Sequence, residues 1–132
     1  MKLNPDCIRD ILLTVEEQTG YRKSMLYCSN DYFEQFTRLK PYDDAVVRYH
    51  INQCDLNGFF VNIYTHLGAP PQEVEIFDLS PHGHEFLANI RKDAIWDKVK
   101  NIANKVGSTS LNAFVQIAAG VVKEVIKAQF GV

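Results

Sequence analysis

The residues best equipped for chemistry are Arg48, Tyr49, Asn52 and Gln53, which one helical turn would gather on a single polar face. Side-chain amides match the edge of adenine and a guanidinium matches guanine or a phosphate, so such a face suits the major groove of duplex DNA. The same four residues would serve equally as an ordinary solvated surface. Further cations that suit phosphates stand downstream, notably Arg91 and Lys92, in a stretch 80–105 with five basic and three acidic residues. Between 43 and 79 the sign reverses, with six acidic residues against Arg48 alone, which disfavours a polyanion and suits a protein partner.

Other chemistry finds less footing. His82, His84 and Glu85 are of ligand type but lack a third spaced histidine or a cysteine pair, so no metal is expected. They read better as a helix start in which Gly83 permits close approach to a neighbouring hairpin. His50 sits beside an apolar helix face as a core or boundary residue, and His66 is expected in solvent. The adjacent pairs Asp43-Asp44 and Glu16-Glu17 diverge on a helix rather than facing as acid and base. With no nucleophile elbow and no phosphate-cradling glycine loop, the expectation is a non-enzymatic protein needing no cofactor.

The elements that would position these residues follow from periodicity. Asn4 and Pro5 open a first helix carried by Ile8, Ile11, Leu12 and Val15, and Gly20 stops it. Ser24–Cys28 resembles a short strand, Ser29-Asn30-Asp31 a turn, and Tyr32–Leu39 is compatible with helix or strand. After Pro41, with Asp43 or Asp44 as cap, Val47, Ile51 and Cys54 share the inward face of a helix that Asn57-Gly58 closes. Phe59–Thr65 and Glu73–Leu79 alternate as strands about a Gly68-Ala69-Pro70-Pro71 tip. Ser80-Pro81 starts a helical region through Val106, either one helix or two with a break near Lys92-Asp93. Beyond Gly107–Ser110 comes a last helix of about five turns. A helix, a hairpin and a helix in that order predict an α+β, winged-helix-like core over 1–106, with 107–132 an added C-terminal helix. Its broad stripe, including Leu111, Phe114, Val115, Ala118, Val122 and Val125, either packs within the chain or pairs with its copy in a homodimer.

With 132 residues, 46% of them hydrophobic, the chain can bury a core without staples, and a net charge of −2 gives no general polyanion affinity. Cys7, Cys28 and Cys54 match no metal or redox spacing and are expected as free thiols. Ala113–Val122 is too short and interrupted to span a membrane, and no export signal opens the sequence, so a cytoplasmic protein is expected.

The opening Met1-Lys2-Leu3-Asn4-Pro5-Asp6-Cys7-Ile8-Arg9-Asp10-Ile11-Leu12 combines with Tyr49-His50-Ile51, with Gly83-His84-Glu85-Phe86-Leu87, and with Ile90-Arg91 and Trp96. Together they resemble the bacterial and phage family called domain of unknown function 2513, over roughly the first hundred residues. That resemblance implies a winged-helix-like fold and brings no activity. Val47–Ile51 followed by Gly58-Phe59-Phe60 is also similar to the recognition helix and first wing strand of small bacterial repressors. Cys54 stands there for the usual leucine and Asn57 for the usual alanine. The leading expectation is therefore a dimeric winged-helix DNA-binding transcriptional regulator. The alternative is a phage or mobile-element factor that binds a host protein through its acidic hairpin and aromatic surface.

Overall fold

In the computed structural model, residues 1–29, 36–70, 72–108 and 110–131 are described. They form an α+β structure with five α-helices, one 3-10 turn and a three-stranded antiparallel sheet. Two compact units emerge, an α/β unit over Asp6–His84 and a helical unit of Met1–Pro5 with Glu85–Val132.

Pro5 fixes a helical φ where no amide donor is needed, and α1 runs from Pro5 to Gln18. Cys7, Ile8, Ile11, Leu12 and Val15 are fully buried, as their spacing predicts. Gly20 and Lys23 then exchange two backbone hydrogen bonds of 3.0 Å, closing a tight turn. Within it Arg22 adopts φ +59°, a left-handed conformation normally left to glycine. The turn feeds β1, Met25–Tyr27, which buries Met25 and Tyr27 and exposes Leu26. The expected turn at Asn30-Asp31 and the Tyr32–Gln35 portion of the ambiguous segment lie outside the described residues. Its end, Thr37–Leu39, is a 3-10 turn.

Helix α2 spans Asp44–Leu56 and buries Val47, His50, Ile51 and Cys54. Asp43 occupies the cap position but its side chain makes no capping bond. At the other end Gly58, at φ +74°, reverses the chain so that the Phe59 amide reaches the Cys54 carbonyl at 3.0 Å.

The hairpin follows, with β2 at Ile63–His66 and β3 at Glu73–Ile76. These strands are shorter than alternation predicts, but the pairing continues beyond them through Val61 N–H to Asp78 O and a Phe60–Leu79 bridge. Sheet order is β1-β3-β2, with Met25 and Ile63 both opposite Ile76. Val74 and Ile76 point inward while Glu73 and Glu75 point outward, the period-two pattern of a sheet covered on one face.

Helix α3, Pro81–Ile90, ends before Lys92, whose extended backbone (φ −75°, ψ 133°) separates it from α4, Asp93–Val106. Two helices, not one, thus occupy this stretch. In the helical unit α4 packs on α5, Leu111–Phe130, and the rings of Trp96 and Phe114 lie 5.9 Å apart. Ser110 caps α5 by accepting the Ala113 amide at 3.0 Å.

Candidate interaction surface

Arg48 lies between the start of α2 and the sheet. Its Nε donates to both oxygens of Asp44 at 3.1 and 3.0 Å, and its Nη2 donates to the carbonyls of Cys28 and, at 2.7 Å, Gln72. The Tyr27 hydroxyl donates to Asp44 at 2.7 Å, and the guanidinium stands 5.3 Å from the Tyr27 ring centre. One side chain therefore ties together α2, the end of β1 and the lead into β3. Sequence spacing gave no sign of this, because the two carbonyls converge only when the sheet forms.

The rest of the α2 outer face is open. Asn52 is exposed, Gln53 is half-buried, and Tyr49 is half-buried with its ring edge-on to His50 at 5.2 Å. His50 itself is fully buried, with Nδ1 2.7 Å from the Val46 carbonyl. At the end of α2, Leu56 is 70% exposed, and Tyr64 and Leu67 of the hairpin are 58% and 86% exposed. Apolar and aromatic side chains are thus exposed both at the end of α2 and on the hairpin. The sequence reading missed Leu56 and Leu67, although Leu56 falls off the Val47-Ile51-Cys54 face and Leu67 opens the hairpin tip.

Across the outer sheet face, Ser24 donates to Glu75 Oε2 at 2.6 Å and His66 Nε2 lies 2.9 Å from Glu75 Oε1. This arrangement links all three strand neighbourhoods, yet it does not activate the serine, since the carboxylate sits between hydroxyl and imidazole. The Ser24 and His66 contacts hold the Glu75 carboxyl below its usual range. A depressed native value stabilises the fold above the ordinary glutamate range near ~4.3, and that contribution is lost as pH falls through the lowered value. The urea midpoint of the native protein should consequently fall more steeply in acid than that of Glu75→Gln. Parallel curves would mean the network contributes nothing.

Arg91 and Lys92 are exposed and belong to the helical unit, whereas α2 belongs to the α/β unit. Charge is divided accordingly: the α/β unit carries twelve acidic and six basic residues, the helical unit four acidic and eight basic. The histidines of α3 have structural neighbours, the His82 ring tilted against Phe59 at 5.1 Å and His84 lying 3.6 Å from Asp78. Among the described residues no group of three potential ligands could hold a metal.

Of the stripe on the last helix, Leu111, Phe114 and Ala118 are buried within the chain, Val115 and Val122 are half-buried, and Val125 is exposed. No helix among the described residues is long and apolar enough to cross a membrane. None of the three cysteines forms a disulfide. Burial pushes the Cys7 thiol up to about 12, with Asp10 adding, and pushes Cys54 well above its usual value. A thiol reagent should therefore modify only the half-buried Cys28 in the native protein and reach all three after unfolding. Rapid native labelling of Cys7 or Cys54 would contradict their placement.

No solved structure matches the chain. An uncharacterized protein of Haemophilus influenzae is 33% identical over 128 residues, covering 96% of this chain and 99% of its own length. The family model described as "Hypothetical protein (DUF2513)" matches residues 2–110. On that match, and on the full-length likeness of the bacterial relative, the chain belongs to the DUF2513 family.

Proposed function

We propose that the chain is a non-enzymatic interaction module of winged-helix type whose α2 and hairpin surface receives a protein. Support for the fold type comes from the order α1, β1, α2, β2, β3 with the sheet arranged β1-β3-β2. The observation that carries the choice of partner is Arg48: the one basic residue between 43 and 79 is engaged by Asp44 and two carbonyls. Within 43–79 a phosphate backbone would find no other cation, and the nearest cations beside the hairpin are Arg22 and Lys23, next to Glu75. Exposed Leu56, Tyr64 and Leu67 beside acidic residues fit a partner with an apolar patch ringed by lysine or arginine.

A photo-crosslinking amino acid at position 64, introduced in producing cells, should trap a discrete protein whose yield falls with Leu56→Asp. The purified chain should leave a random duplex unbound at low salt. Duplex binding at low salt that weakens with added salt would overturn the protein reading.

DNA recognition is a second reading, favoured by the exposed Asn52 amide and the basic excess of the helical unit. In that case Asn52→Ala and Lys92→Ala would each weaken duplex binding.

A further inference from the structure

Helix α5 carries two apolar faces. Leu111, Phe114, Ala118 and Val121 are buried at helical spacing. One position further along, and so rotated by about 100°, Ala119, Val122 and Ile126 line an open hollow of about 430 Å³. Ile126 is 51% exposed and, beyond the hollow, Phe130 is 75% exposed. Lys123 and Lys127 edge the hollow on the α5 side, while Glu85 of α3 stands in its lining. The depression is thus apolar along its floor, anionic on one wall and cationic on the other.

We propose that a second copy of this chain covers this hollow, with the two-fold axis running along it. A two-fold contact sets a patch against itself, so its charges must match after the rotation. An axis across the hollow would oppose Lys123 to its own copy and Glu85 to its own copy. An axis along the hollow exchanges the walls, placing Lys123 against Glu85 of the partner subunit and forming that pair twice, while Lys127 keeps Glu124 of its own helix at 3.8 Å. Like charges facing one another are costly, and opposite ones fix the register, so the charge pattern selects the second arrangement. This face shares Val122 with the stripe that the sequence offered for dimerisation but is centred on Ile126 instead, since Leu111, Phe114 and Ala118 are already covered within the chain.

Sedimentation equilibrium of the full chain over two decades of micromolar concentration should show a mass rising from 15.1 kDa toward twice that value. Ile126→Glu should weaken the dimer about tenfold or more; thermal melting followed by circular dichroism checks that the variant folds. Glu85→Lys and Lys123→Glu should each weaken association, and their combination should restore it. A monomer at every concentration, a dimer indifferent to Ile126→Glu, or a double exchange that fails to restore it would each overturn the proposal. Because these readouts concern mass and residues of the helical unit, they are independent of what the α2 surface binds.

Discussion

Gly83→Ala should destabilise the protein by about 3 kcal/mol, near the upper end of ordinary overpacking costs. The sign is informative, because alanine in a helix interior would ordinarily add up to about 1 kcal/mol. Here the new Cβ would stand 2.3 Å from the Phe59 carbonyl oxygen and 3.1 Å from its carbon. Relief requires moving backbone, and that backbone is already pinned. The Ser80 amide donates to the same Phe59 oxygen at 2.7 Å, while the Ser80 hydroxyl donates to Gly58 O at 2.5 Å and accepts the Gly83 amide at 3.0 Å. Separating the start of α3 from Phe59 would strain all three bonds. Urea and thermal unfolding should both register the loss, with a melting temperature lower by roughly 10 °C for a domain of this size. An unchanged or raised midpoint would show that the close approach is not maintained.

Arg48→Ala should cost about 2 kcal/mol, the range for removing one partner from a charge-assisted, partly buried network. The loss should appear in folding stability, before any partner is added. Arg48→Lys should recover little, because an ammonium cannot reproduce the planar fork that engages Asp44, Cys28 O and Gln72 O together. A cycle combining Arg48→Ala with Asp44→Ala should be clearly non-additive, since the two groups share one network. Asn52→Ala, on the open face of the same helix, should change stability by less than about 0.5 kcal/mol. If Arg48→Ala were as harmless as Asn52→Ala, the guanidinium would be free in solution and the argument against a phosphate partner would lose its basis. Binding experiments that use Arg48→Ala need this control, because a partly unfolded variant would mimic a lost contact.

Much of the local structure was legible because it depends on near neighbours. The inward face of α2 followed from the spacing of Val47, Ile51 and Cys54, and the helix stop from Asn57-Gly58. The tight passage of Gly83 was readable from a glycine in the first turn of a helix beside a hairpin. The break near Lys92-Asp93 was legible only as one of two alternatives, because no proline or glycine announces it and Lys92 simply adopts extended backbone there. The candidate site was less legible. Arg48 had the chemistry of a nucleic-acid contact, but its use depends on carbonyls twenty and twenty-four residues away in sequence.

Taken alone, the residue pattern determined the order of α1, β1, α2, the hairpin and the last helix, which of their faces turn inward, and the opposite charges of the 43–79 and 80–105 stretches. Those properties arise from backbone preference and hydrophobic period, both local in range. Only the tertiary structure decided that Arg48 is held, that Ser24, Glu75 and His66 meet across the sheet, and which half of the α5 stripe stays exposed. Each depends on groups brought together from distant parts of the chain, and a carbonyl or apolar face has no sequence signature until its partner has folded against it.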